Sequence, residues 1–203
     1  LDPEMLDGEW PHPIEVSHKT KSGMGLIRSR SGRDRKPIYE RKLSIEEVHN
    51  RIERYWRPYH DALRDHLDST HAAFGAAWHI NCHSMPSKWA TGFEKAGEPN
   101  ENDYVLGNRD GTTAGAEFTE LVRDTLAGFG FHVGINDGQK GVELVRAYSD
   151  PAQERHSLQI EINRRLYWDE RNMKKREGHF EEQRDIMTKL IETVCDYARS
   201  RAG

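Results

Sequence analysis

The length and charge of the chain exclude several classes of protein. Its 203 residues suffice for one domain with a buried core, although only 35% of them are hydrophobic. The formal net charge of -4 comes from interspersed acidic and basic residues, which is unlike the basic patch of a nucleic-acid-binding protein. Apolar runs are too short to cross a bilayer, and the chain has two cysteines. We therefore expect a soluble protein of the reducing cytoplasm.

The first 43 residues predict a loop-rich segment. Prolines lie there among many glycine, serine, lysine and arginine residues, and at most one short strand is expected, near residues 24–28. The chain begins with Leu1 rather than methionine. We therefore expect one domain over residues 1–203 that is truncated at its N-terminus, with residues 1–43 as loop and residues 44–203 as sheet and helices.

A long helix is predicted to follow this segment. Ser44 and Glu47 have the spacing of a capping box, and apolar residues then recur every three or four positions as far as Leu67. The helix should run to about residue 72. Pro58 should kink it, because proline lacks the backbone N–H that a helix uses.

The remaining elements alternate between strands and helices. Short apolar runs predict strands at residues 76–81, 104–106, 131–135, 142–148 and 156–165. Apolar residues at helical spacing predict helices at about residues 118–126 and 179–199. This alternation favours an α/β layer fold with a largely buried central sheet.

The predicted strand at residues 156–165 is the most informative for function. Leu158 and Ile160 point to one face, while Gln159 and Glu161 point to the other. An edge strand with one solvated face would also explain the alternation. On a sheet that is covered on both faces, however, burial of a carboxylate costs free energy unless the carboxylate is paired or its pKa is adjusted for catalysis. Glu161 is therefore the first candidate for a general base.

His83 is the second candidate. Ligands of open α/β sheets gather just past the carboxyl ends of strands, where Asn81, His83 and Ser84 are expected. A lone histidine is more often structural, but the position beside a long loop makes a ligand role an equal alternative. Cys82 should point to the opposite face and is interpreted as a small buried residue.

Five blocks of sequence together resemble one family, in the same order. They read RIERYWRPYHDAL, WHINCHSMP, DYVLGNRDGTTAGAEF, GINDGQKGVELVRAYSDP and HSLQIEINRRLYWDE. From about Gly8 to Glu170 the chain resembles the N-formylglutamate amidohydrolase family. The resemblance implies a zinc carboxypeptidase-like (phosphorylase/hydrolase-like) architecture. A mixed central sheet of the eight-stranded type would be flanked by helices on both faces, which gives three layers, α/β/α.

The resemblance also implies a metal site and a reaction. His83 would bind one Zn²⁺ ion and would be the last of its three protein ligands along the chain. The other two ligands, a histidine and an acidic residue, would lie upstream of Leu1. Glu161 would be the catalytic glutamate. The implied reaction hydrolyses N-formyl-L-glutamate to formate and L-glutamate in histidine degradation. The expected partner is a small-molecule substrate, with no nucleic acid or membrane, and the oligomeric state is not predicted.

The residue types agree with this chemistry. A zinc ion lowers the pKa of a bound water to about 7 and polarises the carbonyl, and Glu161 could move the water proton to the leaving amine. The substrate carboxylates require cations or polar groups. The candidates for binding them are Arg146, on the predicted strand 142–148, and then Lys140, Arg109, Arg28 and Asn81. For each cation, a solvated surface charge is the alternative.

Two other functions stay open. The chain could be a related zinc carboxypeptidase or N-acyl amino acid amidohydrolase, which would differ in the pocket cations and keep His83 and Glu161. It could also be a catalytically inactive, truncated relative with a binding role. The His-x-x-Glu spacing of HPIE, residues 12–15, is interpreted as coincidence, because prolines flank the histidine and no strand supports it.

Overall fold

The computed structural model of the protein describes residues 1–31, 36–89 and 95–201. It divides into two compact units, Leu1–Leu63 and Arg64–Gly203. A compact unit is not by itself a folding domain, so the single domain over residues 1–203 stays a prediction. None of the helices in the described ranges combines the length and the hydropathy that crossing a bilayer requires.

The first unit contains a two-stranded parallel pair, formed by β1 (Leu6–Asp7) and β2 (Leu43–Ser44). Leu6, Leu43 and Val48 form its small core, and a short helix, α1 (His18–Lys21), lies between the two strands in the chain. Residues 24–28, where at most one short strand was expected, form none. Those residues follow the turn at Gly23, where φ is +75°, and pair with no strand.

The predicted long helix is present but interrupted. Ser44 caps α2 (Ile45–Arg51), because its Oγ accepts the backbone N–H of Glu47 at 3.1 Å. A π-helical turn, Ile52–Trp56, then connects α2 to α3 (Arg57–Phe74). The irregularity therefore lies in the turn that precedes Pro58, where the missing proline N–H already disturbs the regular bonding pattern.

The second unit is built on a mixed four-stranded sheet. Its strands are β3 (Ala77–Met85), β4 (Tyr104–Gly107), β5 (Val133–Ile135) and β6 (Arg155–Asn163), in the spatial order β3-β6-β4-β5. The β3/β6 and β4/β5 pairs are parallel, whereas β4 and β6 are antiparallel. The predicted mixed sheet is confirmed, although the described residues contribute four strands rather than the eight that the resemblance implies.

Helices lie on both faces of this sheet. One face is covered by α4 (Ala116–Gly128) and α6 (His179–Arg201), both of which were predicted from helical spacing. The core between these helices and the strands contains Tyr104, Leu106, Phe118, Val122, Leu126, Leu158, Ile160 and Leu190. On the other face, a short helix, α5 (Glu143–Ala147), begins next to β6. A hairpin of two-residue strands, β7 (Trp168–Asp169) and β8 (Lys174–Lys175), precedes α6. The α/β fold class is thus confirmed.

The strand predicted at residues 142–148 is wrong, because most of that run forms α5. Gly141, at a φ of +106°, turns the chain before the helix, and only Val145 of the helix is buried. A short apolar run does not by itself distinguish a strand from a helix, and here the turn decides in favour of the helix.

Candidate functional site

One face of the β3/β6 pair is polar, and it lies opposite the helical core. In a parallel pair, residues in register point to the same side, so polar side chains stand next to each other along the two strands. The register pairs on this face are His79 with Ser157, Asn81 with Gln159, and His83 with Glu161.

His83 and Glu161, the two residues predicted to share a site, lie side by side. The Nδ1 atom of His83 is 3.7 Å from Oε1 of Glu161. The imidazole is 37% exposed and the carboxylate only 8%, so solvent reaches the pair from the histidine side. Their proximity makes a shared site geometrically possible, and their chemical roles stay predictions.

The position of His83 differs from the sequence-based expectation. It was expected past the end of a strand at residues 76–81, but pairing with β6 continues to Met85, so His83 lies inside β3. Cys82 does point to the opposite face, as predicted. It is exposed there, so its interpretation as a buried residue is wrong.

Burial raises the pKa of the Glu161 carboxyl above its ordinary value. Three groups oppose this effect: His83, the Gln159 amide, which donates a hydrogen bond, and the positive charge of Arg164. A buried carboxyl with a raised pKa is closer to the operating range of a general base than an exposed one.

Gln159, which the sequence analysis did not single out, fixes the orientation of Glu161. Its Nε2 donates to Glu161 Oε1 at 2.8 Å, and its Oε1 accepts the backbone N–H of Val142 at 2.9 Å. Because the backbone N–H can only donate, the amide oxygen must face Val142 and the NH₂ group must face the carboxylate. The strand alternation already placed Gln159 on the face of Glu161, and that was the available signal.

The segment before α5 reaches this face because β4 has no side chain there. Gly107 is in register with Gln159, and a Cβ at Gly107 would lie 2.6 Å from the backbone nitrogen of Gly141. Only glycine therefore permits the close approach that brings the N–H of Val142 to Gln159.

Asn81, a predicted substrate-binding residue, contacts the histidine in this structure. Its Nδ2 lies 3.1 Å from Nε2 of His83 and 3.5 Å from Oε1 of Gln159. An amide NH₂ group donates, so this contact leaves Nε2 as the acceptor and the proton on Nδ1, which faces Glu161. Asn81 thus orients the imidazole ring.

Arg146, the first candidate for binding a substrate carboxylate, lies on α5 rather than on a strand. Its Nε atom donates to both carboxylate oxygens of Glu143, at 2.9 and 2.8 Å, and Nη2 also contacts Glu143. The expectation that a strand presents Arg146 on a polar face is wrong, because residues 143–147 are helical. A role in binding substrate stays a prediction.

The other predicted cations have different surroundings. Arg109 donates from Nη1 to the backbone oxygen of Gly141 at 3.1 Å, so it contacts the segment that reaches Gln159. Lys140 is exposed and pairs with Asp110 at 2.8 Å. Arg28 is exposed and lies in the first unit. The structure therefore places Arg109 next to the segment before α5 that reaches Gln159. For Arg109, Lys140 and Arg28, a role in binding substrate stays a prediction.

The donor set fits part of a zinc site. The imidazole of His83 is a ligand that zinc accepts, whereas a catalytic zinc ion takes three protein ligands. Within residues 1–31, 36–89 and 95–201 no group of three or more His, Cys, Asp or Glu side chains could hold a metal ion.

The family model of N-formylglutamate amidohydrolases matches residues 1–168 of the chain. The chain belongs to the N-formylglutamate amidohydrolase family. This confirms the resemblance that the five sequence blocks indicated.

The relatives of this N-formylglutamate amidohydrolase family member include two curated bacterial enzymes. N-formylglutamate deformylase of Pseudomonas putida is 31% identical over 137 residues, which are 66% of this chain and 50% of the relative. N-formylglutamate deformylase of Pseudomonas aeruginosa is 27% identical over 172 residues, which are 83% of this chain and 63% of the relative. The chain thus spans between half and two thirds of the length of these relatives.

A solved structure shares the fold of this family member. The crystal structure of N-formylglutamate amidohydrolase from Ralstonia eutropha JMP134 matches it with a TM-score of 0.89 and 42% sequence identity. The match covers 98% of this chain and 71% of that chain. The likeness therefore extends over nearly all of the present sequence.

Proposed function

We propose that the protein is a zinc-dependent amidohydrolase that hydrolyses N-formyl-L-glutamate to formate and L-glutamate. The family supports the reaction class, and the names of the two Pseudomonas relatives support the substrate. The observation that carries the proposal is the register pair of His83 and Glu161, 3.7 Å apart on the polar face. The proposed setting is the cytoplasm, in histidine degradation.

In the proposed mechanism, Glu161 is the proton carrier. It takes a proton from the attacking water and delivers it to the nitrogen of the leaving amine. Gln159 holds the carboxylate in one orientation. His83 would be a ligand of a zinc ion, which when bound lowers the pKa of the water and polarises the formyl carbonyl.

A second candidate is an inactive relative with a binding role. It is favoured by the finding that the described residues contain no complete set of metal ligands. A related zinc carboxypeptidase or N-acyl amino acid amidohydrolase would use the same His83 and Glu161. These alternatives differ in the compound that they hydrolyse and in the product that they release.

Formate release separates these candidates. We expect the purified full-length protein, reconstituted with zinc, to release formate from N-formyl-L-glutamate and to lose this activity when a chelator removes the metal. Formate would be measured with a coupled dehydrogenase assay, and zinc by mass spectrometry. Hydrolysis of N-acetyl-L-glutamate or of a peptide in preference to the formyl compound would indicate the related enzymes. Zinc well below one equivalent without formate release would indicate the inactive relative.

Replacing Gln159 tests the positioning of Glu161. In Gln159→Met the side chain keeps a similar size but no longer donates to Glu161, so we expect kcat to fall about 10-fold or more with a smaller change in KM. The matched control is Gln183→Met, which removes another buried amide, one that accepts the Tyr104 hydroxyl on the opposite side of the sheet. The control should lower stability and leave kcat unchanged. An unchanged kcat in folded Gln159→Met would contradict the positioning role.

A further inference from the structure

A second polar cluster lies at the end of the sheet where the polar face of β3 and β6 finishes. Because β3 and β6 are parallel, their carboxyl ends meet at the same edge, where Arg164 directly follows β6 and Ser87 lies two residues after β3. Both contact Glu170. The backbone N–H of Ser87 donates to Glu170 Oε2 at 2.9 Å, the Ser87 hydroxyl contacts the same oxygen, and Arg164 Nε donates to Oε1 at 2.8 Å.

Glu170 is held as a carboxylate in this cluster. Burial alone would raise its pKa, but the hydrogen bonds from Ser87 and Arg164 outweigh burial and lower the pKa of the carboxyl. Both of its oxygens are occupied, one by Ser87 and the other by Arg164. Glu170 therefore fixes the position of the guanidinium group and does not compete for its terminal nitrogens.

Arg164 is held differently from two other arginines that pair with a carboxylate. Arg57 and Arg123 each give both Nε and Nη2 to their carboxylates, Glu53 and Asp124. Arg164 gives only Nε, and within the described ranges no hydrogen bond engages Nη1 or Nη2. Its side chain is 34% exposed. The two terminal NH₂ groups can therefore receive a carboxylate through two parallel hydrogen bonds, the geometry that arginine favours.

Arg164 also acts on the proposed general base. It follows Glu161 by three residues, and its positive charge acts on the Glu161 carboxyl. Between them, Asn163 ends β6 with its side chain bound to the backbone oxygens of Asn100 and Asn102, at 3.2 and 2.8 Å. This anchor fixes the point from which the Arg164 side chain leaves the strand.

We propose that Arg164 binds a carboxylate of the substrate, and that Ser87 and Glu170 hold its guanidinium group for that purpose. This inference rests on the proposed function, because N-formyl-L-glutamate and its product L-glutamate both carry two carboxylates. It names a cation that the sequence analysis did not consider, in place of Arg146, whose guanidinium is bound through Nε and Nη2 by Glu143.

Binding of L-glutamate tests this role without requiring turnover. Titration calorimetry on the intact protein should show L-glutamate binding, and Arg164→Gln should weaken it about 10-fold or more, because a charge-assisted, two-bonded contact is lost. Arg164→Lys keeps the positive charge but cannot form two parallel hydrogen bonds to a carboxylate, so it should retain an intermediate affinity. The matched control is Arg123→Gln, which removes an exposed, carboxylate-paired arginine from α4 and should bind as the wild type does.

The outcomes separate this inference from the proposed reaction. If Arg164→Gln, folded by circular dichroism, binds L-glutamate as tightly as the wild type, or if only Arg146→Gln weakens binding, the inference is overturned. If Arg164→Gln and Arg164→Lys weaken binding while the wild type releases no formate, Arg164 is a carboxylate-binding residue and the proposed hydrolysis fails. In an active enzyme, the same Arg164 substitutions should raise KM more than they lower kcat.

Discussion

Replacing Glu161 with glutamine should lower turnover of N-formyl-L-glutamate at least ~100-fold, because the amide cannot accept the proton of the attacking water. The change conserves size, and an amide oxygen at position 161 can still accept the Gln159 hydrogen bond, so the fold should be kept. The substitution leaves His83 unchanged, so the metal content should stay the same. The measurement is kcat together with zinc content per chain.

An exposed carboxylate provides the control for Glu161→Gln. Glu120 lies on the solvent side of α4, and Glu120→Gln removes one negative charge without changing the polar face. It should leave kcat and metal content unaltered. Near-normal turnover in Glu161→Gln would remove Glu161 from the base role, whereas loss of zinc would show that Glu161 is needed for metal binding.

Replacing Phe118 with alanine should lower the free energy of unfolding by about 3–5 kcal/mol, because it leaves a cavity in the centre of the core. Phe118 is 1% exposed, and the centroid of its ring lies 6.1 Å from that of Tyr197 on α6. The side chain therefore connects α4 to α6 above the sheet. Denaturant unfolding followed by circular dichroism measures the loss.

Phe129 provides the matched control for Phe118→Ala. It stands at the C-terminal end of the same helix, where its side chain is 40% exposed. Phe129→Ala should therefore cost less than about 1 kcal/mol, as surface substitutions usually do. A similar loss in both variants would mean that the packing of α4 does not depend on the buried ring.

The alternation in β6 was sufficient to predict which residues share the functional face. Side chains of a strand alternate whatever the tertiary structure is, so Glu161 could be placed opposite Leu158 and Ile160 before the fold was known. The polar residues of β3 are different. Only the pairing with β6 shows that the strand continues to Met85, and pairing between distant segments is not encoded in a local pattern.

Two elements of the site could not be predicted for a related reason. The apolar run from Val142 to Tyr148 is so short that its pattern suits both a strand and a helix. The turn at Gly141 decides in favour of the helix. The role of Arg164 depends on Glu170 and Ser87, which come together only when the ends of β3 and β6 meet. Contacts of this kind are tertiary, so no window of sequence contains them.

The close approach of Gly141 to Gly107 constrains how this protein can be altered. The Gln159 amide connects the backbone at Val142 to the carboxylate at Glu161. A longer or displaced segment before α5 would remove the backbone donor of that amide oxygen and leave it only the longer contact from Asn81, at 3.5 Å, so the amide could then rotate. Exchanging residues 139–142 between homologues would therefore change the orientation of the Glu161 carboxylate, even though no catalytic side chain is exchanged.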